Sequence, residues 1–129
     1  MITIIYKPKN IYDKNLYIEL EDLTYKIESL DEVKSIASIF TLSDIDENAW
    51  LGDLYDGSYK WDEKNILKKL KYIQEDPSIG SRVLSKDLQY GSMIIVLKDN
   101  SNNHKSRTAL LEKIKQLTTD RFAEWTYSG

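Results

Sequence analysis

His104 is the only histidine in 129 residues, and there is no cysteine. Those two counts remove most familiar chemistry at once. Zinc, copper and iron sites draw on several nitrogen or sulfur ligands, so the side chains for a transition-metal centre are missing. Thiolate catalysis and disulfide stapling are equally excluded. A serine nucleophile would have to use His104 as its base. That histidine sits beside Asn102 and Asn103 at the start of a predicted helix, where a solvated polar residue is ordinary. The five glycines (Gly52, Gly57, Gly80, Gly91 and Gly129) are too scattered to line a phosphate-cradling loop.

Carboxylates are the remaining candidates, and two spacings repay comparison with known patterns. Asp44-x-Asp46-x-Asn48 resembles the first three ligand positions of an EF-hand calcium loop. That loop then requires glycine where Ala49 stands and a bidentate glutamate where Tyr55 stands, so acids near a helix start are the simpler reading. Asp56 followed by Asp62-Glu63-Lys64 resembles the metal-binding arrangement of restriction-type nucleases, in which carboxylates hold Mg²⁺ and the lysine steadies a water. There the second element lies on a strand, whereas here it opens a predicted helix. A small Mg-dependent nuclease is therefore the alternative, and no enzyme, no metal and no cofactor is the primary expectation.

A different kind of site lies between Thr41 and Tyr59. Five acids (Asp44, Asp46, Glu47, Asp53 and Asp56) occur there without one base, interleaved with Trp50, Leu51, Leu54, Tyr55 and Tyr59. Aromatic rings supply desolvated contact area and like charges steer a complementary partner, which is the composition of a protein–protein hot spot. Asp44, Asp46, Glu47, Trp50, Asp53, Tyr55 and Asp56 are the expected partner-binding residues. The competing reading buries Trp50, Leu51 and Leu54 and leaves the acids facing water. Lys60, Lys64, Lys68 and Lys71 form a stripe that a solvated helix face explains.

Charge is distributed unevenly. Residues 1–57 carry twelve acids against five lysines, −7, and residues 58–129 carry nine acids against thirteen bases, +4, giving −3 overall. A mildly acidic chain is poorly suited to phosphate backbones, so direct nucleic-acid binding is not expected. Lysine outnumbers arginine fifteen to three and Ile and Asn are frequent, a usage that suits an AT-rich bacterial or phage genome. The apolar start Met1–Tyr6 lacks a basic leader, and no run reaches the ~18 apolar residues of a membrane helix. A cytoplasmic protein is expected, and size, acidity and missing chemistry together suggest an inhibitor. Candidates are an immunity protein for a bacterial toxin, a phage-borne inhibitor, or a regulatory adaptor. The toxin would be cationic, with a nuclease the favoured kind.

The elements that must carry such a surface follow from hydrophobic periodicity. Ile2–Tyr6 and Ser92–Leu97 are the two most apolar runs and read as central strands, adjacent or nearly so. Leu16, Leu20, Leu23 and Ile27 stand at helical spacing, yet Leu16/Ile18/Leu20 and Leu23/Tyr25/Ile27 alternate around Glu21-Asp22. The β-favouring Thr24, Tyr25 and Ile27 tilt the reading toward a hairpin. Ser29-Leu-Asp-Glu32 follows the capping-box pattern, predicting a short helix with Val33, Ile36, Ala37 and Phe40 inward. Helices are predicted over about 62–74 and 104–118, a short strand at 82–84 and a terminal strand at 122–127. With 41% hydrophobic residues, the chain reads as one α+β domain spanning 1–129. Its expected architecture is a mixed or mainly antiparallel sheet against three or four helices.

Overall fold

The computed structural model describes residues 1–41, 63–76 and 80–128. They form an α+β arrangement around a four-stranded antiparallel sheet. Strand β1 (Ile2–Pro8) leads to helix α1 (Lys14–Glu28) and strand β2 (Val33–Ala37). Helix α2 (Glu63–Gln74) and the single-turn helix α3 (Gly80–Val83) come next. Strand β3 (Gly91–Leu97), helix α4 (His104–Leu117) and strand β4 (Ala123–Ser128) complete the order. Across the sheet the strands run β2-β3-β1-β4.

Each helical crossover skips a strand. The β1-α1-β2 unit spans β3, and the β3-α4-β4 unit spans β1. These are two interleaved split β-α-β units, the strand order of the ferredoxin-like plan, with residues 38–90 between β2 and β3. The two strands predicted as central are so, and they are adjacent. In β1–β3 the register sets Ile4 opposite Met93 and Ile2 opposite Ile95.

Alternation decides the layers, because successive strand residues point to opposite faces. Ile2, Ile4 and Tyr6 are buried with Met93, Ile95, Leu97 and Ala123 on one face. On the other, Ile5 is 38% exposed, so β1 is central in the strand order without being buried on both sides. The apolar face packs against α1 and α4, and Ile66, Leu70, Ile73, Val83, Leu84 and Leu88 extend the same core.

Three predicted elements change type. Residues 14–28 form one helix, not a hairpin, with Leu16, Tyr17, Leu20, Leu23, Thr24 and Ile27 buried. A strand would have buried Ile18 and Tyr25, which are instead 58% and 44% exposed. Asp13 caps the start by accepting from Asn15 N–H at 2.9 Å. The β-branched Thr24 is accommodated because its hydroxyl donates to Leu20 C=O at 2.8 Å and lies 3.2 Å from Ser38 Oγ. Ser29 thus closes a helix instead of opening one.

Residues 33–37 form a strand, not a helix. The register slips between Val33 and Ser35, where two residues of β2 oppose one step of β3. Such a bulge puts residues three apart on the same face, so Val33 and Ile36 are both buried at a spacing that imitates a helix. Glu32 is no cap; its carboxylate pairs with Lys113 Nζ of α4 at 2.8 and 3.1 Å. Residues 80–83 are helical, overlapping the strand expected over 82–84, of which Leu84 alone bridges to Gly91.

Candidate interaction surfaces

All seven expected partner-binding residues (Asp44, Asp46, Glu47, Trp50, Asp53, Tyr55 and Asp56) lie outside the described residues. So do Asn48, Ala49, Lys60, Asp62 and the side chain of Lys64, which takes in both carboxylate motifs. The ends between which this segment runs are defined. On the near side, Ser38–Thr41 is a locked turn. Thr41 Oγ1 accepts from Ser38 N–H at 2.8 Å, and Ser38 Oγ accepts from Phe40 N–H at 3.1 Å. Ile39 and Phe40 are buried within it. On the far side, α2 is held by Ile66, Leu70 and Ile73. Its Lys68 and Lys71 are exposed, as expected of the stripe, whereas Lys69 is buried.

The described residues hold little that could do acid–base or nucleophilic work. No group of three His, Asp or Glu residues among them could hold a metal ion. His104 is exposed at the first turn of α4, which Asn103 caps through Ser106 N–H. Burial raises the Tyr6 and Tyr17 hydroxyls, keeping both neutral, and Tyr17 donates to Ile11 C=O. Hydrogen bonds from the Ser85 hydroxyl and Gln89 N–H hold the Asp87 carboxyl below its ordinary range, in a turn where Leu88 has φ 63°.

Glu21 differs from these. Burial raises its carboxyl above the usual value, and among the described residues its buried Oε2 has no hydrogen-bond partner. It lies on the α1 flank that carries Tyr17 and Thr24, at the edge of the buried stripe.

The outward side of α1 carries a surface feature that the sequence reading missed. Asn15, Ile18, Glu19 and Asp22 form one wall of a groove of about 540 Å³, and Arg121 and Phe122 form the other. Thr119 Oγ1 donates to Glu19 Oε1 at 3.1 Å, and the Arg121 guanidinium lies 5.0 Å over the Phe122 ring. A hairpin over 16–28 would put Glu19 on a strand and Asp22 in the turn. The signal was the isoleucine at 18, which no helical apolar stripe through Leu16, Leu20 and Ile27 can include. Among the described residues no helix is long and apolar enough to cross a membrane.

Compared with protein-family models, with curated proteins and with solved structures, the chain matches none.

Proposed function

We propose that this is a small cytoplasmic binding protein that neutralises a cationic protein partner. The partner is a bacterial toxin, with a nuclease the favoured kind, and the chain acts as its immunity protein. The observation that carries this reading is the run of five carboxylates and no base between Thr41 and Tyr59, set among aromatic side chains. Enzymes that act on nucleic acid present basic clefts to phosphates. A segment offering carboxylates at phosphate positions and a ring where a base would stack competes for such a cleft.

Charge reversal at Asp53 and Asp56 tests it. The partner is identified by affinity capture, with the product of an adjacent gene as first candidate, and association is followed at several ionic strengths. Association should be fast and slow steeply with salt. The double reversal should weaken binding by well over a factor of about 10 at an unchanged melting temperature. Tyr55→Ala should act mainly on dissociation. Unchanged affinity of the double reversal for its captured partner would overturn the proposal.

A further inference from the structure

The groove between α1 and the residues before β4 has acids on its α1 side, Arg121 on the other and one apolar side chain on each. Ile18, 58% exposed, and the partly buried Phe122 are that apolar lining. Single exposed isoleucines are common and mean little, but this one lines a concavity with an aromatic side chain. On the helix wall stand Glu19 and Asp22. Asp22 pairs with Lys26 at 2.8 Å, but both side chains are mostly exposed, so the pair is weak and exchangeable. On the opposite wall, the Arg121 guanidinium lies 5.0 Å from the centroid of the Phe122 ring, and among the described residues it meets no carboxylate. A guanidinium steadied on a ring with its fork unused is pre-organised for a bidentate carboxylate.

We infer that this groove binds a short extended segment of a partner protein. That segment carries an apolar side chain between a base and an acid. The apolar side chain seats on Ile18 and Phe122, the base faces Asp22 and Glu19, and the acid takes the Arg121 fork. Charge complementarity selects this occupant over a purely basic or purely acidic one, because either would meet repulsion on one wall. A volume of about 540 Å³ suits a few residues of chain and not a folded face. None of the lining residues belongs to the Thr41–Tyr59 segment, and binding here is not expected to depend on that segment's charges.

The test uses the ¹⁵N-labelled full-length chain and two capped pentapeptides, Gly-Lys-Leu-Glu-Gly and Gly-Glu-Leu-Lys-Gly. The better of the two should shift the amides of Ile18, Asp22, Arg121 and Phe122 along one saturating curve. Gly-Glu-Leu-Glu-Gly and Gly-Lys-Leu-Lys-Gly should bind about fivefold or more weakly, and Arg121→Glu should weaken the mixed peptide by a similar factor. Ile18→Ser, at a mostly exposed position that leaves the fold intact, should abolish saturation. The Asp53/Asp56 double reversal should leave peptide binding unchanged, so failure here and failure of the inhibitor reading are distinguishable. Shifts outside the groove, equal affinity for all four peptides, or no shift at all would overturn the inference. So would groove shifts that grow on concentrating the protein alone, which would assign the surface to a second copy.

Discussion

The ring of Tyr6 lies directly over Gly91, its partner across the β1–β3 register. A Cβ added at Gly91 would sit 2.2 Å from Tyr6 Cζ and 2.3 Å from its hydroxyl oxygen. The ring is also 5.4 Å from that of Trp125 on β4, so it cannot swing aside without disturbing the other edge. Glycine is kept here for space and not for backbone freedom.

Gly91→Ala is therefore expected to destabilise by about 1–3 kcal/mol, the range for forcing atoms into a packed core. The same substitution in a Tyr6→Leu background should cost clearly less. A double-mutant cycle from urea unfolding reads the coupling, and additive costs would show that the ring is not what excludes the side chain.

Leu70 and Ile114 are both almost wholly buried, one on α2 and one on α4. Truncating either to alanine should cost about 2–5 kcal/mol, because the cavity left behind adds to the lost transfer energy. Chemical denaturation gives the value, and a wild-type midpoint for either variant would remove that helix from the core.

Glu21 should make stability depend on pH in the unusual direction for a carboxylate. Its folded-state pKa lies above the unfolded one, so the folded chain binds protons more readily in that window. Stability then falls as pH rises through the window, starting at the ordinary glutamate value of about 4.3. Glu21→Gln removes the charge and keeps the shape. It should melt higher than the wild type at pH 7 and equally well below about pH 4, where both side chains are neutral. A lower melting temperature for Glu21→Gln at pH 7 would show that the charge has a stabilising partner.

Chelation should have no effect on the fold. With EDTA in excess, the melting temperature is expected to equal that in buffer alone. A fall of several degrees would mean that the carboxylates around Asp44 and Asp56 hold a structural cation.

How much of this could be read from the chain depends on which interactions are local. Ile2–Tyr6, Ser92–Leu97, 62–74, 104–118 and 122–127 carry patterns of one clear period, and each folds as that period implies. Composition alone also determined that thiolate chemistry is impossible and that nearly all uncompensated acid lies in the first half. At 16–28 two periods coexist, and propensity favours the wrong one. Packing settles it, since a helix brings Leu16, Leu20, Leu23 and Ile27 onto the sheet together while Ile18 and Tyr25 stay outside. At 33–37 the bulge gives a strand the spacing of a helix, and a bulge exists only relative to the strand it opposes. The groove follows the same logic. Ile18 and Phe122 are 104 positions apart, and only the crossover of α4 and the return of β4 bring them side by side. The expected binding segment lies outside the described residues, so it rests on composition alone. Periodicity reports what a residue's neighbours along the chain require. Register and cross-chain packing are set by residues far away in sequence, and those only the tertiary structure decides.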